Sequence, residues 1–201
     1  MEKKERIING ALELFMRMGV KSVNMDDVAS HLGMSKKTLY QFVQNKSDLV
    51  EQSFASHHSR VKNMISTICK KHENAIDELF EIDEGVCQLM KNRHPSMVFN
   101  LKKYYPKVWG MLEDLKKKHI LKTVKNNLES GIQQGMYRAD IHVDVIVKLV
   151  MSRVDALVDD ELFPLTEYDF RQLLKENRVY HIRGIATEKG IKYLEQKLKN
   201  E

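Results

Sequence analysis

Lys37, Tyr40, Gln41 and Gln44 lie within eight residues of one another, and together they offer an ammonium, a phenol and two carboxamides. Such groups suit nucleic acid. A glutamine amide bonds adenine through two atoms, and a lysine reaches guanine or a phosphate. Lys36, Lys37 and Thr38 follow Ser35, a residue type that caps helices. In a first helical turn, free N–H groups and the helix dipole favour an anion. Lysines there oppose the dipole at a cost of about 0.3–1 kcal/mol, which an arriving anion would offset. Lys46 stands in the same way just after Asn45.

These side chains need a frame, and the surrounding residues supply one. Ile7, Ile8, Ala11, Leu12, Phe15 and Met18 recur at helical spacing, which predicts an amphipathic helix over 3–18 that stops at Gly19. Asn24 with Asp27 three residues on reads as a capping-box-like start to a second helix that ends at Gly33. Ser35 caps a third helix, predicted over 36–43, and Asn45 a fourth, predicted over 46–71, with Asp48 again three residues on. At 100° per residue, the third helix turns Leu39, Phe42 and Val43 to one side with Ser35, and Lys37, Tyr40, Gln41 and Gln44 to the other. Two short helices around a tight turn are suited to laying the second in the major groove of DNA.

The chain has 201 residues, 42% of them hydrophobic, which is enough for a packed core. Nine glycines and three prolines in that length argue for helices. Further helices are expected at about 74–91, 94–103, 106–131, 143–162, 167–185 and 188–199, the last capped by Thr187. The fold class expected is all-α: a three-helix head with a helix-turn-helix, then a larger helical body. The division expected is 1–46 and 47–201, joined by the long fourth helix without a Gly-, Pro- or Ser-rich linker. Net charge is +5, and residues 1–50 carry eight Lys and Arg against six Asp and Glu. The balance permits an anionic partner without locating it. Cys69 and Cys87 show no pairing pattern, the N-terminus shows no signal-peptide core, and no run approaches a membrane span. We therefore expect a cytoplasmic protein with no membrane association.

The string VAxxLGMSKxTLYxxVxNKxxL over 28–49, following an amphipathic first helix, resembles the DNA-binding head of TetR-family transcriptional regulators. The resemblance covers residues 1 to about 50, and beyond them the body matches in length and class only. It implies backbone contacts by Thr38, Tyr40 and Lys46, groove-facing roles for Lys36, Lys37 and Gln41, and a phosphate contact at Asn24; with Ser35 these make up the expected DNA-binding set. Phe42 departs from the pattern, because the family often has a His or Tyr there that bonds a phosphate.

The family also implies a small-molecule pocket in the body. Met64, Met90, Met97, Phe99, Tyr104, Trp109, Met111, Met136 and Met151 are soft or aromatic side chains suited to an adaptable apolar wall. The plainer reading of each is ordinary helix packing. The expected occupant is a small apolar or amphipathic effector. Two-fold dimers read DNA half-sites about 34 Å apart. The expected dimer stripes are Val147, Val150, Met151 and Val154 on one helix, and Phe170, Leu173, Leu174 and Asn177 on the next. The alternative is that both stripes face the protomer's own core.

The expected function is that of a homodimeric, ligand-responsive repressor binding a double-stranded operator. Neither catalytic residues, a metal set nor a cofactor motif stands out: the histidines lack metal spacing, and no nucleophile–base set or phosphate loop is present. The rivals are an enzyme using the same pocket, and a ligand-sequestering or protein-interaction module whose head no longer binds DNA.

Overall fold

The computed structural model describes residues 3–200. All its named elements are helices: α1 Lys3–Met18, α2 Met25–His31, α3 Lys36–Leu39, α4 Lys46–Lys71, α5 Ala75–Met90, α6 Met97–Tyr104, α7 Pro106–Leu115, α8 Leu121–Gln133, α9 Val143–Leu157, α10 Phe170–Ile185 and α11 Glu188–Lys199. A π-helical turn, Lys116–Ile120, lies between α7 and α8. The chain is all-α, with a three-helix head followed by a larger helical body.

It divides into two compact units. The first runs through Lys62 and also takes in Asn92–Leu115; the second holds Asn63–Lys91 and the residues from Lys116 onward.

In the first unit, α1 buries Ile7, Ile8, Ala11, Leu12, Leu14 and Phe15 and exposes Lys3, Lys4, Arg6, Glu13 and Arg17. Gly19 ends it in the left-handed region at φ +81°, where an L side chain would be strained. A Cβ at Gly19 would also stand 3.1 Å from His94 Nδ1 and 3.2 Å from Ser96 Oγ. The α1 end is held there by the His94 N–H donating to the Met16 carbonyl at 2.6 Å. Arg6 donates to the Leu32 carbonyl at 2.9 Å, and Ser53 of α4 donates to the Ile8 carbonyl at 3.2 Å. Lys107 of α7 pairs with Glu51 of α4 at 2.6 Å. The head thus includes α6 and α7 in its packing, which the periodicity of residues 1–50 gives no reason to expect.

In the second unit, α5 packs on α8 and α10, α8 on α9, and α9 on α10, closing a ring of four helices, with α11 against α10. Ala75, Ile76, Leu128, Met136, Tyr137, Val147, Ile182, Ile185, Ala186 and Leu194 form its core. Tyr137 lies so close over Gly131 that a Cβ there would collide with its ring. Its hydroxyl donates to Asn127 Oδ1 at 3.2 Å, and Asn127 Nδ2 donates to the Ala75 carbonyl and to Glu78 Oε1, both at 2.9 Å. Burial pushes the Tyr137 phenol well above its usual range.

Several boundaries differ from expectation, and four of them have a local reason. The third helix stops at Leu39, because Gln41 and Phe42 donate to the Thr38 and Leu39 carbonyls, three residues back, and tighten the chain into a turn. The stretch expected as one helix over 106–131 is α7 and α8 with the π turn between them. α9 ends at Leu157, and Asp159 Oδ1 then accepts from the Glu161 N–H, an alternative to continuing the ladder. α10 starts at Phe170, because Asp169 is the residue that caps it, through the Gln172 N–H at 2.9 Å.

Candidate nucleic-acid interface

Asn24 sets the entrance to α2. Its Oδ1 accepts from the Asp26 and Asp27 N–H groups at 2.8 and 3.0 Å, and Asp27 Oδ2 accepts from the Asn24 N–H at 2.7 Å. The reciprocal pair satisfies donors that a helix start otherwise leaves open, and it uses only the oxygen of the Asn24 amide. Gly33, at φ +62°, makes the turn. Ser35 Oγ then accepts from the Thr38 N–H at 3.1 Å and lies 2.9 Å from Thr38 Oγ1.

Leu39 and Val43 are buried, and Phe42 is half-buried with the Lys3 ammonium 5.8 Å from its ring centroid. Lys37, Tyr40, Gln41 and Gln44 are exposed. Ser35 is exposed as well, which corrects its placement on the packing side: as a cap it precedes the helix and does not share its wheel. With α3 only four residues long, its dipole adds little, so any anion attraction here comes from the lysine charges themselves.

Lys36 and Lys46 differ in setting. Lys36 Nζ pairs with Asp26 Oδ2 at 2.8 Å, and that hydrogen bond raises its pKa. Lys46 is half-buried, its ammonium donates to the Lys21 carbonyl at 3.3 Å, and burial lowers its pKa. Beside it, Asn45 Oδ1 accepts from the Asp48 N–H at 3.0 Å, and Asp48 Oδ2 from the Gln44 N–H at 2.8 Å. The backbone hydrogen bond from Gln44, with the Gln52 amide, lowers the Asp48 pKa.

Residues 7–52, which contain this whole arrangement, match the family described as bacterial regulatory proteins, tetR family. The head of this chain is thus similar to those of the TetR family. The HTH-type negative transcriptional regulator IcaR of the biofilm operon in Staphylococcus aureus is 25% identical over 116 residues, 56% of this chain and 62% of IcaR. The match therefore spans less than two thirds of that relative's length. The HTH-type regulator YvaF of Bacillus subtilis is 26% identical over 164 residues, 80% of this chain and 83% of YvaF. Among solved structures, FadR of Bacillus subtilis in complex with stearoyl-CoA has the same fold, with TM-score 0.67 and 20% identity over 91% of this chain and all of that one.

The residues expected to line a pocket are divided between the two units. Met97, Phe99, Tyr104, Trp109 and Met111 fall in the first unit; Met64, Met90, Met136 and Met151 fall in the second. Phe99 and Tyr104 are exposed, whereas Met97 and Met151 are buried. Met136 is part of the body core, and the Met64 thioether rests on Gly85 of α5. A cavity of about 260 Å³ in the second unit is lined by Asp83, Glu84, Cys87, Arg171, Leu174, Lys175 and Arg178, none of the nine. Among its polar side chains, Arg171 pairs with Glu84 at 2.6 Å and Arg178 with Asp83 at 3.3 Å.

Of the expected dimer residues, Val147, Met151 and Leu174 are buried in the single chain. Val150, Val154, Phe170, Leu173 and Asn177 are half-buried. The apolar side chains that α9 and α10 leave exposed are Val145, Leu149 and Tyr180. Tyr180 continues the stripe expected on α10; Val145 and Leu149 escaped the sequence reading because a stripe of periodic apolar residues shows that a face is apolar, not which of two apolar faces the protomer covers itself.

Proposed function

We propose that this chain is a homodimeric, sequence-specific repressor that binds double-stranded operator DNA and releases it when an effector occupies the body. The observation that carries the reading is the head: Lys37, Tyr40, Gln41 and Gln44 are exposed together while Leu39 and Val43 hold the turn from beneath. Residues 1–46 form the DNA-binding domain and 47–201 the effector and dimerisation domain. Tyr40, Thr38, Asn24 and Lys46 hold phosphates, with Ser35 positioning Thr38. Lys37 and Gln41 read bases. Lys36, paired with Asp26, contributes charge at the rim.

The dimer forms through α9 and α10 as a four-helix bundle. Val145, Leu149 and Tyr180 support this, since an exposed apolar stripe on a folded body favours a partner. The effector is a small apolar or amphipathic molecule, and the FadR complex with stearoyl-CoA supports that class. Its binding must favour a state in which the two heads no longer match successive major grooves, which requires different affinities for the two states. The protein acts in the cytoplasm and is not an enzyme.

Selection from a randomised duplex pool, followed by fluorescence polarisation, tests the reading. One palindromic site should emerge with nanomolar-range affinity, of the order of 10⁻⁸ M or tighter. Tyr40→Phe and Lys46→Gln should weaken every duplex, while Lys37→Gln and Gln41→Ala should change which base is preferred. Equal binding to all sequences would sink the repressor reading.

A further inference from the structure

Between Glu84 and Glu113 the chain has no acidic residue, and within the first unit that stretch contributes Arg93, Lys102, Lys103 and Lys107. Lys102 and Lys103 close α6 and are exposed. The same helix exposes Phe99 by 55% and Tyr104 by 42%. These rings are covered by ammonium groups. Lys103 Nζ lies 5.3 Å from the Phe99 centroid and 5.4 Å from that of Tyr104. Lys21 Nζ lies 5.0 Å from the Tyr104 centroid and 3.4 Å from its hydroxyl.

Two ammonium groups therefore converge on one ring, and among the described residues neither has a carboxylate within ion-pair distance. Like charges gathered this way repel unless an anion joins them. Lys107, by contrast, is already paired with Glu51. The cluster is also continuous with the head, since the Lys21 carbonyl accepts from Lys46 Nζ at 3.3 Å. Lys46, Lys21, Tyr104 and Lys103 thus form a basic track within one unit, from the start of α4 to the end of α6.

We propose that the end of α6 is a second DNA-backbone contact, in which Lys103 and Lys21, ordered by Tyr104, and Lys102, held over the Trp109 ring, bind phosphates that flank the site read by α3. This rests on the DNA-binding reading above. Aromatic rings interleaved with cations suit such a role, because they fix long lysine side chains without neutralising them. The contact carries affinity and no base preference.

The test uses the full chain and the duplex it selects from a randomised pool. That duplex is made in two lengths: ending at the selected site, and extended on each side by about ten base pairs, one helical turn. Affinity is measured across a salt series for the wild type, for Lys102→Gln/Lys103→Gln and for Lys46→Gln, with helix content checked by circular dichroism. The wild type should bind the extended duplex more tightly. The double variant should lose that advantage, keep the base preference, and show a salt slope on the extended duplex shallower by about 0.9 for each phosphate it no longer neutralises. If the double variant matches the wild type in slope and flank response while Lys46→Gln weakens binding, the α6 contact is overturned and the DNA-binding reading stands. If both variants are silent on a selected duplex, the α6 contact is overturned and the Lys46 phosphate contact with it; if no duplex is selected, the DNA-binding reading itself falls and this inference falls with it.

Discussion

The hydrogen bonds that set the helix starts in the head are short-range, although Arg6, Ser53 and His94 reach farther to tie its helices together, whereas those that organise the interior of the second unit are long-range. In the head, Asn24 bonds residues two and three ahead, Ser35 and Asn45 residues three ahead, and Asp48 the N–H four residues back. In the second unit, Asn127 reaches back 52 residues to Ala75, Arg178 reaches 95 to Asp83, and Tyr193 reaches 116 to Asp77. The first kind settles where each helix starts and leaves the outward face free for a partner. The second kind is satisfied only when distant helices have already packed, so each such group depends on the whole core. Changes in the two regions should therefore differ in size and reach.

The largest effect should come from Tyr137, where the apolar and polar parts of the body interior meet. Tyr137→Ala removes a fully buried ring and strands Asn127, and should cost about 3–5 kcal/mol in chemical denaturation followed by circular dichroism. Tyr137→Phe keeps the ring, leaves Asn127 Oδ1 without its donor, and should cost about 1–3 kcal/mol. A loss below about 1 kcal/mol for the alanine variant would erase the contrast between the regions.

Acid comes next, and it acts on both units. His57 of the first unit and His181 of the second are buried, and burial lowers both pKa values to about 4, with Arg60 and Arg153 respectively adding to the effect. Unfolded, each imidazole has a pKa near 6.5. Between these values the unfolded chain binds protons that the folded one refuses, so stability is complete above pH 6.5 and falls as pH drops toward 4. From pH 7 to pH 5 each histidine should remove about 2 kcal/mol. Denaturation at the two pH values measures the sum, and NMR of the ring signals separates the sites; a ring that titrates near 6.5 removes its share.

A smaller loss should follow from Asn24→Ala. The substitution removes a cap that bonds two N–H groups and should cost about 1 kcal/mol. Because the bonds are local, faster amide exchange should be confined to the start of α2, at Asp26 and Asp27. Exchange spreading into α5 or α10 would mean that the head is not determined locally.

The same contrast explains what could be read from the residues alone. Asn24, Ser35, Asn45 and Thr187 cap helices where their types and spacing predict, because a cap is a bond between neighbours in sequence. The exposed side of α3 was legible for the same reason, although its helix ends four residues early. Partner choice was not legible. Val147, Met151 and Leu174 have the periodicity of an interface, yet the protomer buries them itself. Nor does the sequence show that Tyr104, expected in a pocket wall, stands exposed beside Lys21, 83 residues away. Periodicity tells which side of a helix avoids water, and only the packed structure tells what covers it.

The sharpest form of the comparison is a pair of substitutions that should leave stability almost untouched. Lys37 and Gln41 are exposed and, unlike Asn24 and Ser35, cap nothing. Replacing either with alanine should change unfolding free energy by no more than about 0.5 kcal/mol, as is usual for surface positions without a structural bond. Their cost should appear instead in DNA selection, as relaxed preference at one base pair worth about 1–3 kcal/mol. Removing the cationic Lys37 should also make the salt slope shallower if its ammonium touches phosphate, whereas Gln41→Ala should leave the slope unchanged. A measurable loss of stability without a change in base preference would assign both residues to the frame of the head. That outcome would move the reading face to Tyr40 and Gln44, the two exposed polar side chains that remain on this turn.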